Sequence, residues 1–248
     1  MRSFTVTFYD EEEDQNPNVY ETQTVRYGEA ATAPAVDPVR VIFGTDVTDT
    51  RIYALDHYSR NFNNITSDNV RVYPKFTTNY IRAQDYVAPA EAFEILNMDI
   101  NEVVDTNAPT TTPSENVIHG LAVAIKNEYT NQFITIPSSI IVNGYARSIA
   151  SIKNNSGTIK RVYFEEGNNI RIIEAGAFSG SSGLEFVDLG ACTNLYRIGK
   201  PNLADVVWEL GGAFAQCPNL TIKEIPDSTA IIGAFSFYNQ LTDHQQKM

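Results

Sequence analysis

Residues 170–178 have the sequence Ile170-Arg171-Ile172-Ile173-Glu174-Ala175-Gly176-Ala177-Phe178, and shortened forms of this pattern recur through the second half of the chain. The shared pattern is an apolar residue, two variable residues, a second apolar residue and often Ala-Phe. The clearest copies begin at Ile149, Ile170 and Leu195, 21 and then 25 residues apart. Degenerate copies follow in Val207 with Leu210 and Ala213-Phe214, and in Ile231-Ile232 with Ala234-Phe235. This period is typical of a repeat protein.

Short segments of β-strand character recur between these copies, at residues 134–137, 162–164, 187–189 and 223–226. One repeat unit, here called a coil, cannot bury its own row of apolar side chains. Stacked coils bury each other's rows and so form a continuous core. Gly176, Gly180 and Gly183 are interpreted as repeat turns rather than a phosphate-binding loop. A short stack needs covered ends. We expect residues 121–125 to cover the first end, and the polar tail or a partner subunit to cover the last.

The repeat resembles the BspA-like leucine-rich repeat family, whose units carry an Ala-Phe-x-x-Cys-x-x-Leu core and a strand ending in Ile-x-Ile-Pro. The core motif matches in Ala213-Phe214-Ala215-Gln216-Cys217-Pro218-Asn219-Leu220, and in Ala177-Phe178-Ser179-Gly180-Ser181-Ser182-Gly183-Leu184 with Ser181 at the Cys position. Its second half matches in Cys192-Thr193-Asn194-Leu195, and the strand motif matches in Phe133-Ile134-Thr135-Ile136-Pro137. The resemblance implies a leucine-rich-repeat domain, which we place at residues 119–248.

The same resemblance suggests positions for thiols and for a binding face. It places Cys192 and Cys217 at inward positions, so we expect buried free thiols rather than a disulfide or a nucleophile. In leucine-rich repeats the residue between the two buried strand positions faces outward. The candidate binding residues are therefore one exposed row, Thr135, Tyr163, Asp188 and Glu224.

The first part of the chain has a different pattern. Apolar and polar residues alternate at residues 4–8, 22–27 and 69–76, which predicts half-buried strands. Pro74 indicates a sheet edge or a bulge, because proline has no amide N–H to donate.

Two segments of this part resemble the opening of the Listeria-Bacteroides repeat, namely Phe4-Thr5-Val6-Thr7-Phe8 and Thr24-Val25-Arg26-Tyr27-Gly28-Glu29-Ala30 with Pro34. Residues 62–76 resemble its closing strand, while residues 39–58 depart from its pattern. The resemblance implies a β-grasp-like module over residues 1–82.

Residues 83–118 are predicted to be a linker between the two modules. They include one short possible helix, at residues 91–96, and a stretch rich in Pro, Thr and Asn at residues 105–114. That composition cannot bury apolar surface and is typical of a semi-extended linker. The expected fold class is mainly β, with an N-terminal β-grasp-like module and a short C-terminal leucine-rich-repeat solenoid.

Charge and composition exclude several classes of partner. The formal net charge of -12 at pH 7 argues against nucleic acid, since that interaction depends on Lys and Arg neutralising phosphates. The acidic run at residues 10–14 lacks the ligand spacing of a calcium loop and favours a solvated turn. We therefore expect no metal and no cofactor. No stretch is long enough for a transmembrane helix, and no signal peptide is seen, so we expect no membrane insertion.

Catalytic residues are hard to assemble from this sequence. His57 lies beside Asp56, and it is interpreted as a surface residue. His119 and His244 lie apart from any nucleophile pattern, so the chain is predicted not to be an enzyme. Trp208 and the 13 tyrosines could form a sugar- or protein-binding surface, or could fill the core.

Both resemblances imply proteins displayed outside the cell, with adhesion as the usual role. We therefore expect a non-catalytic binding protein, extracellular or at the cell surface, that recognises a protein or glycan through the repeat face. Because no signal peptide is seen, the alternative is a phage virion structural protein, a head decoration, fibre or tail component, that contacts capsid or tail proteins.

Overall fold

The structure, a computed structural model, describes residues 2–46, 49–100, 102–103, 117–199 and 212–238. The chain divides into two compact units, Met1–Tyr86 and Val87–Met248. In the described residues, helix is limited to two 3-10 turns, Ala83–Asp85 and Ala90–Ala92. The prediction of a mainly β chain is confirmed.

The described part of the first unit contains eight strands in three small sheets. Their bounds are β1 (Ser3–Tyr9), β2 (Val19–Arg26), β3 (Arg40–Phe43), β4 (Thr50–Tyr53), β5 (Leu55–Tyr58), β6 (Val70–Val72), β7 (Pro74–Phe76) and β8 (Ile81–Arg82). β1 pairs antiparallel with β2 and parallel with β6, β4 pairs antiparallel with β3 and β8, and β5 pairs antiparallel with β7. The strands predicted from alternation are present, and Pro74 begins a strand of a two-stranded sheet.

The core of the first unit forms on one face of β1. Phe4, Val6 and Phe8 are buried there, because alternate residues of a strand point to the same face. Tyr58 and Phe62 pack edge-on against Phe8 and against each other, with ring centroids 5.2 to 5.7 Å apart. Burying one such side chain contributes about 1.5–3 kcal/mol, so β1 is the strand on which this unit depends.

The described part of the second unit contains thirteen strands. Their bounds are β9 (Phe93–Asn97), β10 (Glu102–Val103), β11 (Val117–Ile118), β12 (Leu121–Ile125), β13 (Phe133–Ile136), β14 (Ser139–Val142), β15 (Tyr145–Asn154), β16 (Arg161–Phe164), β17 (Ile172–Ile173), β18 (Phe186–Val187), β19 (Arg197–Ile198), β20 (Thr221–Ile222) and β21 (Ile231–Ile232). Most of them form two sets of parallel strands. Ladder A consists of β12, β15, β17, β19 and β21, and ladder B consists of β13, β16, β18 and β20.

The chain alternates between the two ladders. Each strand of ladder A from β12 to β19 is followed by a strand of ladder B before the chain returns to ladder A. Among the strands that the structure describes here, β14 alone is inserted into this alternation, and it pairs antiparallel with β15. Each coil therefore supplies one strand to each ladder.

Apolar columns run through both ladders at matching register positions. In ladder A, Ile152, Ile173 and Ile198 are cross-strand partners and are fully buried. In ladder B the matching column is Ile134, Val162 and Val187, also fully buried. The apolar pairs that define the sequence repeat are thus core residues, and Ile149, Ile170 and Leu195 are fully buried as well.

A third column consists of stacked phenylalanine rings. Phe178 and Phe214 lie with centroids 5.2 Å apart and planes 8° apart, and Phe214 and Phe237 are 5.6 Å and 6° apart. The amide of Phe178 donates to the carbonyl of Ala213, and the amide of Phe214 donates to the carbonyl of Ser236. These bonds connect the turn of each coil to the turn of the next.

This column corrects the last copy of the sequence repeat. The copy is Ser236-Phe237 rather than Ala234-Phe235, since Phe237 is the ring that stacks on Phe214. Phe235 instead occupies the position that Gly176 holds two residues before Phe178, and both have a left-handed backbone, with φ of 58° and 67°. The sequence pattern places the last Ala-Phe copy two residues too early, because Phe235 occupies the position at which the earlier copy has Gly176.

The first end of ladder A is covered by a strand that the sequence did not predict. Residues 121–125, expected to be the covering strand, form β12, and all five of its residues are buried. β9 pairs antiparallel with its outer edge, with Phe93 opposite Ile125. The helix predicted at residues 91–96 is therefore wrong. A short apolar segment is compatible with a helix or a strand, and here the pairing with β12 makes it a strand.

Part of the predicted linker belongs to the second unit. The two units divide at Tyr86, and residues 87–100 belong to the second unit, so the boundary at residue 82 and the linker over residues 83–118 are corrected for these residues. The stretch at residues 105–114 lies outside the described residues, as do the repeat copy at Val207 and Leu210 and the polar tail after Tyr238.

Replacing Gln216 by Gly is expected to raise the free energy of unfolding by about 0.5–1 kcal/mol. Gln216 has φ of 57° and lies two residues after Phe214, as Gly180, with φ of 76°, lies two residues after Phe178. The left-handed conformation costs a non-glycine residue about 1–2 kcal/mol, and the extra freedom of glycine in the unfolded chain offsets part of the gain. Urea denaturation measures the change.

The control is Gln132→Gly, because Gln132 is another exposed glutamine of the second unit whose φ is not positive. That variant should lose stability, since it gains only unfolded-state freedom. Equal losses in the two variants would contradict the left-handed assignment of Gln216.

Candidate functional site

The predicted binding row is not one exposed surface. Thr135, Tyr163 and Asp188 are buried, at 0%, 1% and 9% exposed, whereas Glu224 is exposed. Alternation does place Thr135 opposite Tyr163 in ladder B. The expected exposure of Thr135, Tyr163 and Asp188 is wrong, and Thr135 and Tyr163 offer no surface to a ligand.

The fourth member of the row also changes. Phe186 pairs with Thr221 and Val187 with Ile222, so the residue beside Asp188 is Lys223, not Glu224. The strand expected at residues 223–226 lies two residues earlier, at β20. A ligand-binding role for Asp188 and Glu224 stays a prediction.

Asp188 and Lys223 form an ion pair with each other. The ammonium of Lys223 lies 2.9 Å from Asp188 Oδ2, and the amide of Gly190 donates to Asp188 Oδ1 over 3.1 Å. The hydrogen bond to Asp188, together with its charge, raises the pKa of Lys223. Because both oxygens of Asp188 accept hydrogen bonds, this carboxylate is satisfied by its own chain.

Both cysteines are buried and unpaired, as predicted. The thiol of Cys217 donates to the carbonyl of Phe178 over 3.0 Å and so connects two neighbouring coils. Burial raises the pKa of Cys217 to about 11 and also raises that of Cys192. A thiol with a raised pKa carries little thiolate at neutral pH and is a poor nucleophile.

Asn168 is a second buried polar connection between coils, and sequence reasoning did not find it. Its amide nitrogen donates to the carbonyls of Glu165 at 2.7 Å and Ala191 at 3.0 Å, and its oxygen accepts from the amide of Ile170 at 3.1 Å. The side chain is thus satisfied inside the fold, as a buried amide requires.

The two histidines that the structure describes lie at the surface. His57 Nδ1 lies 2.8 Å from Asp56 Oδ2, and both side chains are more than half exposed. His119 is exposed, whereas His244 and Trp208 lie outside the described residues. Within the part of the chain that the structure describes, no three His, Cys, Asp or Glu residues group in a way that could hold a metal ion.

The acidic run makes ion pairs instead of only facing solvent. Arg40 Nη2 lies 2.6 Å from Glu11 and 3.5 Å from Glu12, and Lys75 lies 3.1 Å from Glu12. The guanidinium of Arg40 also lies over the ring of Phe76, 4.9 Å from its centroid. The run therefore connects the loop after β1 to β3 and β7, which the solvated-turn interpretation did not include.

Among the described residues of the second unit, the two most exposed large apolar side chains lie on one hairpin, residues 139–148, which we call the hairpin arm. It consists of β14 and the first half of β15, joined by Asn143-Gly144 with φ of 52° and 83°, the turn geometry that an Asn-Gly pair favours. Ile141 is 64% exposed and Tyr145 is 75% exposed. They lie on opposite faces of the arm, since alternate strand residues point to opposite sides.

The hairpin arm also has an edge suited to pairing. In the described residues β14 pairs with β15 alone, and it contains no charged residue, proline or bulge that would discourage a further strand. Arg147 donates from Nη2 to the carbonyl of Met98, which holds the base of the arm beside this third exposed apolar residue. The Asn-Gly dipeptide between apolar residues is the sequence signal that could have located this arm.

No family model, curated protein or solved structure matches the chain. Among the residues that the structure describes, no helix has the length and apolar character needed to cross a bilayer.

Proposed function

We propose that this chain is a non-catalytic recognition protein that binds a protein or glycan partner at the cell surface or outside the cell. The observation that carries the proposal is the hairpin arm, where Ile141 and Tyr145 are exposed on both faces of a strand pair. Large apolar side chains exposed to water are typical of interaction sites, and on this arm each face carries one. The arm replaces Thr135 and Tyr163 as the contact surface.

The second unit is, in this proposal, a BspA-like leucine-rich-repeat solenoid. Three features support it: the alternation of the chain between two parallel ladders, the stacked rings of Phe178, Phe214 and Phe237, and the thiol of Cys217 at the motif position. Such a stack is a rigid frame that holds an inserted hairpin in a fixed place.

The first unit is proposed to be a β-grasp-like module of the Listeria-Bacteroides repeat type. Its support is the order β2-β1-β6, in which the first strand lies between its antiparallel hairpin partner and a parallel later strand.

A photo-crosslinking amino acid at position 141 tests the proposal in the native source. We expect one abundant crosslinked partner, and we expect Ala146→Asp, a change at the exposed residue paired with Ile141 on the same face, to abolish the crosslink while the fold, followed by circular dichroism, stays intact. The matched control places the same amino acid at Val19, an exposed apolar strand residue of the first unit. Equal crosslinking at both positions, or none at 141, would contradict an interaction site on the arm.

The crosslinked partner also separates the adhesin from the virion alternative. A host-surface protein or glycoconjugate would support the adhesin. A capsid or tail protein, recovered in stoichiometric amount with particles, would overturn surface display and make the arm an assembly contact.

A further inference from the structure

One face of the sheet formed by β3, β4 and β8 concentrates tyrosine and arginine side chains. In the register of this sheet, Arg51 lies between Ile42 and Arg82. Tyr53 follows Arg51 by two residues, and Tyr80 lies beside it, one residue before the Ile81 that pairs with Ile52. The core side of the sheet is made by Ile52, which is fully buried. Arg51, Tyr53 and Tyr80 therefore lie on the face of the sheet opposite the buried Ile52.

The rings on this face form an open platform. The centroids of Tyr53 and Tyr80 are 6.2 Å apart with planes inclined at 58°. The guanidinium carbon of Arg51 lies 5.3 Å from the centroid of Tyr80. Even with these neighbours Tyr80 is 51% exposed, so a large part of its ring remains available to a ligand.

Each arginine beside the platform is paired with a carboxylate of its own. Arg51 donates from Nε and Nη2 to the two oxygens of Asp49 at 3.2 and 3.0 Å. Arg82 donates in the same way to Asp85 at 2.9 and 3.3 Å. These exposed pairs place hydrogen-bond donors and acceptors next to the rings, and each pair has no net charge.

We propose that this face, the tyrosine platform of Tyr53, Tyr80, Arg51 and Arg82, binds a neutral glycan. A sugar ring presents a face of C–H groups that packs on an aromatic ring, and a rim of hydroxyls that both donate and accept hydrogen bonds. The platform offers the ring and, at its border, both kinds of hydrogen-bonding group. An anionic ligand fits less well, because Asp49 and Asp85 already neutralise the two guanidinium groups and would repel it.

This site lies in the first unit and does not depend on the hairpin arm of the second. The arm is tested by crosslinking in the native source, whereas the platform is tested with purified protein and defined sugars. Either can fail without the other.

Affinity electrophoresis of the full chain in gels that contain one polysaccharide each gives the test. The probes are starch, β-glucan, xylan, mannan and galactan, with heparin as the anionic comparison. We expect retardation by at least one neutral polysaccharide and none by heparin. Tyr80→Ala should weaken that binding by about tenfold or more, while Tyr80→Phe, which keeps the ring, should retain most of it.

The matched control is Tyr27→Ala, since Tyr27 is 64% exposed in the same unit but lies just after β2 rather than on this sheet. It should bind like the unaltered protein. Absence of retardation by all five neutral polysaccharides would overturn the proposal, as would an equal loss in Tyr27→Ala. Retardation by heparin that disappears with added salt would overturn the neutral assignment in favour of an anion site.

Discussion

Phe214→Ala is expected to lower the free energy of unfolding of the second unit by about 3–5 kcal/mol. Phe214 is fully buried in the middle of the ring column, with Phe178 on one side and Phe237 on the other. Truncation removes both ring contacts and leaves a cavity between two turns that their backbone hydrogen bonds hold in place, so neighbouring side chains can fill little of it. Urea denaturation followed by circular dichroism measures the loss.

Phe235→Ala is the control for this experiment. The same atoms are removed from a ring that is outside the column and partly exposed, so we expect a loss below about 1 kcal/mol. A larger loss in Phe235→Ala than in Phe214→Ala would show that the ring column is wrong. It would also restore Ala234-Phe235 as the last repeat copy.

The interior of the repeat unit could be predicted from the sequence because its periodicity is local. The pairs that start at Ile149, Ile170 and Leu195 recur with the coil, and every member is fully buried. Stacking gives each of these residues an equivalent environment, so one pattern specifies many contacts.

The two errors in strand position have a different cause. The sequence predicts a helix where β9 lies because six residues around Phe93 fit either period, and the deciding hydrogen bonds come from β12, more than twenty residues later. It predicts β20 two residues late because Ile225-Pro226 copies the end of the strand motif. In the structure it is Ile222 that continues the column of Val187, and Ile225 is exposed.

The predicted exposure of the binding row is wrong for a physical reason that also applies to other proteins. Alternation fixes the face to which Tyr163 points, whereas its exposure depends on what else covers that face. The sequence pattern of one strand carries no information on that cover. The hairpin arm, in contrast, depends on its own turn, and the Asn143-Gly144 pair was a usable signal.

A fragment of residues 87–248 is expected to be soluble and to unfold in one cooperative transition, whereas a fragment of residues 119–248 should aggregate. The shorter fragment lacks β9 and leaves the edge of β12 unpaired, although all five residues of β12 are buried in the full chain. An apolar edge strand without a partner is a template for association with other chains. Size-exclusion chromatography with light scattering distinguishes the two outcomes.

Phe93→Asp in the longer fragment separates the loss of β9 from the mere shortening of the chain. Phe93 is buried and lies opposite Ile125, so a carboxylate there should detach β9 at a cost of several kcal/mol and reproduce the behaviour of the short fragment. Glu94→Asp, at the next position of the same strand, changes an exposed side chain and should leave the fragment soluble. If the short fragment were as soluble and as stable as the long one, then β12 would be a sufficient end for ladder A, as the sequence pattern suggested, and β9 would be dispensable.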